Sequence, residues 1–151
     1  MEEIKKKESV QGISTADLYL SLGIAYFYRG KYKTAKETLN KVLNKMLIMY
    51  GEKDLHLILV YLYLGLSDTL IGNFGQAIKA FDEGLSISLE IFGEMHMCTI
   101  HLYTYKACAY NLKGDYKRGI ELCNKCLNIS LHRFGLQHQV TLKIYLCLGI
   151  S

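Results

Sequence analysis

The stretch YLYLGLSDTLIGNFGQAIKAFDEGLSISLEIFGEMH, residues 61–96, decides the fold. Its glycines at 65, 72 and 93 return along the chain at a fixed step of 42 residues. Gly30, Gly72 and Gly114 form one series, and Gly51, Gly93 and Gly135 a second. Gly23, Gly65 and Gly149 form a third, with Ala107 in the remaining place. Other residues keep the same step: Tyr19, Tyr61, Tyr103 and Tyr145; Tyr32, Phe74 and Tyr116; Leu43, Leu85 and Leu127. A period near 40 marks stacked structural repeats, in which each unit buries its apolar face against the next.

Each unit reads as two helices. In the first, Leu18, Leu22, Ala25 and Tyr26 recur at helical spacing up to Gly30. A second helix follows, with Tyr32, Ala35, Leu39, Val42, Leu43 and Met46 on one side and Lys33, Lys36, Glu37, Lys41 and Lys45 mostly on the other. Gly30 and Gly51 close the two helices, since glycine takes the left-handed conformation that ends many helices. The later units predict first helices near 55–71 and 97–113, and second helices near 74–92 and 116–134. Asn73 and Asp115 stand where a side-chain oxygen caps a helix start.

The expected fold is therefore all-α: an α-solenoid of antiparallel helix hairpins. Its units span about residues 14–51, 55–93 and 97–135, with a half unit at 139–151. A charged leader, 1–12, precedes a repeat domain, 13–151. A mid-helix glycine costs roughly 1 kcal/mol relative to alanine. Repeating Gly23, Gly65 and Gly149 in one register implies close approach by a bulky neighbour, expected from the Tyr32, Phe74 and Tyr116 series.

Composition excludes several classes. Half of the residues are hydrophobic and 21% are charged, which is not a disordered composition. The net charge of +4 is dispersed and does not call for nucleic acid. The most apolar run, 55–66, is far short of the roughly 20 residues of a membrane span, so no membrane insertion is expected. The charged start lacks a signal-peptide pattern, and the five cysteines are odd in number and scattered. A cytoplasmic protein without a disulfide framework is expected.

Leu22-Gly23, Tyr26, Gly30-Lys31-Tyr32 and Ala35 together resemble the tetratricopeptide repeat signature. The same slots hold Leu64-Gly65, Asp68, Gly72-Asn73-Phe74 and Ala77, then Lys106-Ala107, Tyr110, Gly114-Asp115-Tyr116 and Gly119. The step of 42 rather than 34, with the loops Gly93-Glu94-Met95-His96 and Gly135-Leu136-Gln137-His138, is similar to the type in kinesin light chains and nephrocystin-like proteins. Asp54 replaces the loop histidine of the first unit, and no proline closes a repeat. The asparagine pair with which kinesin light chains hold cargo is replaced by Leu20-Ser21, Leu62-Tyr63, Thr104-Tyr105 and Leu146-Cys147. The resemblance thus implies the superhelical architecture, not the cargo.

By the same resemblance, the first helices line a concave groove. Its slots hold Asp17, Leu20, Ile24, Phe27 and Tyr28, then Leu59, Leu62, Tyr63, Leu66 and Thr69, then His101, Thr104, Tyr105, Cys108 and Asn111. The carboxylate clamp of chaperone-binding members is missing, its slots taken by Ile24, Tyr63, His101 and Tyr105. The expected partner is a protein or peptide with an apolar or aromatic anchor. The expected role is an interaction scaffold or adaptor, or else a regulatory or sensor module of a longer multidomain protein.

Catalysis has no comparable support. Cys123-x-x-Cys126 falls mid-helix at core slots, so it is expected to fill the core rather than bind metal or exchange electrons. His96 and His138 share a register but belong to successive units, which favours loop roles. No nucleophile–base pattern or phosphate-cradling loop occurs, and neither enzyme activity, cofactor nor metal is expected. Arg29, Lys31, Lys33, Lys113, Lys117 and Arg118 gather along one edge, as a solvated face or a dock for an acidic partner. The last helix carries Val140, Leu142, Ile144, Tyr145, Leu146, Leu148 and Ile150 with one charge, Lys143. Self-association or continuation of the array through residues 139–151 is expected.

Overall fold

A computed structural model describes the backbone of residues 2–149 and the side chains of residues 15–149. Seven α-helices and no strand occur among the described residues. They are α1 (Glu2–Tyr28), α2 (Tyr32–Tyr50), α3 (His56–Ile71), α4 (Phe74–Phe92), α5 (Met97–Lys113), α6 (Tyr116–Phe134) and α7 (Gln139–Gly149). The backbone of α1 runs on through leader residues 2–12. Odd-numbered helices are the first (A) helices of the units, and even-numbered ones the second (B) helices.

The A helices stop in the same way. The N–H of Gly72 bonds to the Thr69 carbonyl at 3.2 Å and that of Asn73 to the Asp68 carbonyl at 2.8 Å. Gly72 holds a left-handed φ of 91°, which a side chain would strain, and this pair of bonds is a Schellman stop. Gly30 and Gly114 repeat it, through Phe27 and Tyr26, and through Asn111 and Tyr110. At the next helix start, Asp115 accepts from the Arg118 N–H as expected, at 3.4 Å. Asn73 does not cap: its Nδ2 donates to Asp68 Oδ1 at 3.3 Å, because the buried Asp68 carboxylate competes for it.

Packing follows the 42-residue register. The largest fully buried side chains include Leu39, Met46, Leu57, Phe81, Ile100, Leu102 and Ile144. Cys123 and Cys126 are buried among them. The in-helix glycines do mark close approach, but the neighbour is not the expected aromatic series. An ideal Cβ on Gly23 would stand 2.9 Å from the Leu39 side chain, and one on Gly65 2.5 Å from the Phe81 ring. Leu39, Phe81 and Cys123 are themselves in register, one helical turn or two inside the B helix, where it crosses the A helix. Tyr32, Phe74 and Tyr116 sit at the helix start, outside that crossing. Gly149 has nothing within 4 Å of such a Cβ, since no B helix covers α7 among the described residues.

A second correction concerns α1. Leu18 and Leu22 lie on its apolar stripe, yet Leu18 is 69% exposed and Leu22 42%. Their register mates Val60, Leu102 and Leu64 are buried. The difference is the neighbour: α2 packs on α3 and α4 on α5, and among the described residues no helix takes that place against α1.

Each helix packs on the next along the chain. In addition α1 touches α3, α3 touches α5 and α5 touches α7, whereas no contact joins α2 to α4 or α4 to α6. The A helices therefore lie on the tighter side of the curve. This places a concave surface on α1, α3, α5 and α7.

Candidate functional site

The groove slots begin with an aromatic cluster. Phe27 meets Tyr63 edge-on at a centroid distance of 5.3 Å and Tyr28 at 5.5 Å. The Tyr28 and Tyr63 hydroxyls share a hydrogen bond of 3.0 Å across α1 and α3. Burial first, then that bond, pushes the Tyr63 hydroxyl up to about 12, so it stays protonated. Tyr28 itself is 74% exposed and presents a wet hydroxyl above an apolar floor. Such an amphipathic aromatic surface suits protein contacts.

Leu20, Ile24, Leu62 and Leu66 are half-buried, and Leu59 is exposed. Leu20, Leu62 and Leu66 pack against the core while keeping one side outward. Further along, Tyr105 stacks with Phe81 at 6.4 Å and tilts against His101 at 6.3 Å. Burial, with Lys143 and His138 as lesser causes, holds the His101 imidazole below its ordinary value. His101, Thr104, Tyr105, Cys108, Lys143 and Leu146 face an open cavity of about 290 Å³ between α5 and α7.

Two expected groove residues are buried instead. Asn111 is 3% exposed, and its Nδ2 donates to the Cys147 carbonyl at 3.2 Å. It stands against Gly119, where any Cβ would collide with its side chain. Thr104 turns its Oγ1 onto the Ile100 carbonyl at 2.8 Å within its own helix. Both lie where α7 closes over α5, a contact invisible until α7 is placed.

The loop histidines have a structural part. His96 Nδ1 accepts from the Cys98 N–H and His138 Nδ1 from the Val140 N–H, each at 3.3 Å. Their rings stack on Phe92 and Phe134 at 4.3 and 4.5 Å. Thr99 and Thr141 then donate to the Gly93 and Gly135 carbonyls at 2.8 and 3.0 Å. Inside, Ser88 shares a bond with Thr99 at 2.7 Å and Ser130 with Thr141 at 2.6 Å. Sequence reasoning stopped at Gly-x-x-His and missed this serine–threonine pair. Its signal was present: both residues recur at 42, in slots that Met46 and Leu57 fill at the junction of the first and second units.

Ion pairs stitch the units together. Lys36 meets the buried Asp68 at 2.5 Å, Lys53 meets Glu90 at 2.9 Å, and Lys125 meets Glu94 at 2.5 Å. On the basic edge, Arg118 pairs with Asp115 of its own helix start. No group of three or more metal-ligating side chains gathers among the described residues. No helix there is long and apolar enough to cross a membrane.

The cysteine expectation is corrected at one point. Cys108 and Cys147 are paired as a disulfide, with Cα atoms 5.9 Å apart. They are 39 residues apart in sequence, and only the stacking of α7 on α5 brings them together. Cys98, Cys123 and Cys126 are free thiols.

Tetratricopeptide repeat models match the chain twice, over residues 17–45 and residues 100–132. Both matches begin in an A helix and end in the following B helix, and so coincide with the hairpins just described. Two of the chain's hairpins match tetratricopeptide repeats. Its fold is similar to the crystal structure of BtubC (BKLC) from P. vanneervenii, with a TM-score of 0.75 and 15% sequence identity. That similarity covers 99% of this chain and 59% of the other, and at this identity it carries the architecture alone. No curated protein matches the sequence.

Proposed function

We propose that this protein is a non-enzymatic tetratricopeptide-repeat scaffold or adaptor of the cytoplasm. It binds a peptide or helix of a protein partner along the concave face of α1, α3, α5 and α7. The observation that carries the reading is the line Phe27 and Tyr28 on α1, Tyr63 on α3 and Tyr105 on α5: aromatics at least partly exposed on three successive A helices. Leu20, Ile24, Leu59, Leu62 and Leu66 supply the apolar floor. Rigid aromatics lose little entropy on binding and dominate protein interfaces. The 42-residue step and the Gly-x-x-His loops support the kinesin light chain and nephrocystin-like subtype, as an architecture.

A second reading is favoured by one observation. Leu142, Tyr145 and Leu146 are exposed, although the register mates Ile100, Tyr103 and Thr104 are buried. That supports further helices packing on α7, as in self-association or in a longer array that serves as a regulatory module.

The test is affinity capture on the purified chain, followed by titration of the captured partner. Leu62→Glu and Tyr63→Ala are expected to weaken binding at least about tenfold while helical circular dichroism persists. Unchanged affinity in both would remove the groove reading. Light scattering on the same samples separates self-association from heterologous binding.

A further inference from the structure

The register explains why a cavity and a cysteine pair coincide. Cys147 occupies the slot that holds Tyr63 and Tyr105 in the preceding units. Cys108 occupies the slot of Ile24 and Leu66 on the helix before. Where a large side chain would lie between successive A helices, the fourth unit carries a small one. The cavity lined by His101, Tyr105 and both cysteines opens there. What spans the A-helix contact at this point is a sulfur–sulfur link.

The first half of the helix on the far side of that link is held against α6 by buried Val140 and by Thr141, which bonds Ser130 and Gly135. Ile144 and Cys147 are the buried anchors of α7 near the C-terminal end. The Asn111 amide, on α5, reaches the backbone of Cys147 itself. The Cα separation of 5.9 Å lies within the usual range of about 5.5–6 Å for a bridge, so closure requires no backbone movement. Cys108 is half-exposed toward the cavity, whereas Cys147 is 2% exposed. Cys108 is thus the more accessible of the two residues to a small thiol or disulfide from solvent.

We propose that Cys108 and Cys147 form a redox latch that fastens the last turn of α7 to α5 and closes the C-terminal end of the groove. The oxidant is a small-molecule disulfide of the glutathione class. The Cys108 thiolate attacks one of its sulfurs, its S–S bond breaks, and the first small thiol leaves with a proton. The Cys147 thiolate then attacks Cys108 in the mixed disulfide and expels the second small thiol. The two cysteines lose two electrons and two protons, and one external disulfide becomes two thiols. Excess small thiol reverses both steps. Reduction frees the last turn of α7 and with it one wall of the cavity. The consequence for partner binding rests on the groove reading above. The latch itself does not, and its test uses no partner.

The experiment equilibrates the purified chain with oxidised or reduced glutathione and quenches it in acid. The unfolded chain is then alkylated and weighed, and hydrogen exchange is followed over α7. Oxidation is expected to leave three of the five thiols open to alkylation, and to make the chain about 2 Da lighter before alkylation. Amides of residues 144–149 are expected to exchange at least ~10-fold more slowly in the oxidised chain. Cys108→Ser abolishes that redox dependence, and Cys98→Ser preserves it. Five alkylated thiols after oxidation would overturn the proposal. So would glutathione left on Cys108, a disulfide-linked dimer, or α7 exchange that is the same in both states of the unsubstituted chain.

Discussion

The Phe81 ring stands where a side chain on Gly65 would be, with its Cε1 2.5 Å from the ideal Cβ position. Phe81 is fully buried, so the ring has nowhere to withdraw. The glycine that weakens α3 locally is what admits α4. Gly65→Ala gains roughly 1 kcal/mol of helix propensity, yet overpacking a filled core costs about 1–3 kcal/mol. A net loss of stability is expected in urea unfolding. Gly75→Ala, in α4 with open space around it, is expected to be neutral or stabilising by up to ~1 kcal/mol. Equal effects at the two sites would contradict the packing account.

Thr141 Oγ1 donates to the Gly135 carbonyl and accepts from the Ser130 hydroxyl. Thr141→Val keeps the shape and removes both bonds, stranding buried polar atoms at a cost of about 1–3 kcal/mol. Adding Ser130→Ala to that variant is expected to cost less than Ser130→Ala alone, because the stranded hydroxyl is gone. A double-mutant cycle measures the coupling. Strict additivity would show that the two hydroxyls do not act as a pair.

His101 makes stability depend on pH in one direction. Its folded imidazole is held below the ordinary value of 6.5, chiefly by burial. As pH falls through that value, the unfolded chain binds the proton first. Stability is therefore full above it and declines toward the lower folded value. Between about pH 7.5 and about pH 5.5 the urea midpoint should drop, and His101→Asn should flatten this part of the drop. A variant with the unaltered slope would assign the pH dependence to other groups.

The free cysteines should divide sharply in reactivity. Cys98 is exposed, while burial pushes the Cys126 thiol up to about 12 and also raises Cys123. A maleimide is expected to label Cys98 in the folded chain and to reach Cys123 and Cys126 only on unfolding. Rapid labelling of either helix α6 cysteine under native conditions would revive a redox role for the Cys-x-x-Cys pair.

The helices were legible because glycine punctuates them and aliphatic residues repeat at helical spacing. The burial of Ala35, Leu39, Val42 and Met46 follows from that spacing alone. What periodicity conceals is which helix comes to lie opposite. Leu18 carries the same apolar character as Val60 but meets solvent, since burial depends on a neighbour and not on the residue. Asn111 was assigned to the groove from its slot, and only the position of α7 shows it to be covered. The Cys108–Cys147 pair was hidden for the same reason: 39 residues of sequence say nothing of a contact made by stacking. The Ser130–Thr141 pair is legible in the sequence, because Ser88 and Ser130, like Thr99 and Thr141, keep the 42-residue step.

Among the described residues, contacts between helices never reach beyond the second helix along the chain. A long-range ligature is therefore missing, and α1 has no direct means of sensing what happens at α7. Stability in such a chain is a sum of local and nearest-neighbour parts, much like a row of coupled spins. Loosening at one end should fade over a hairpin or so rather than melt the whole. The protein can then fray at α7 while its Tyr28–Tyr63 end stays folded, so the two ends of one surface can be tuned independently.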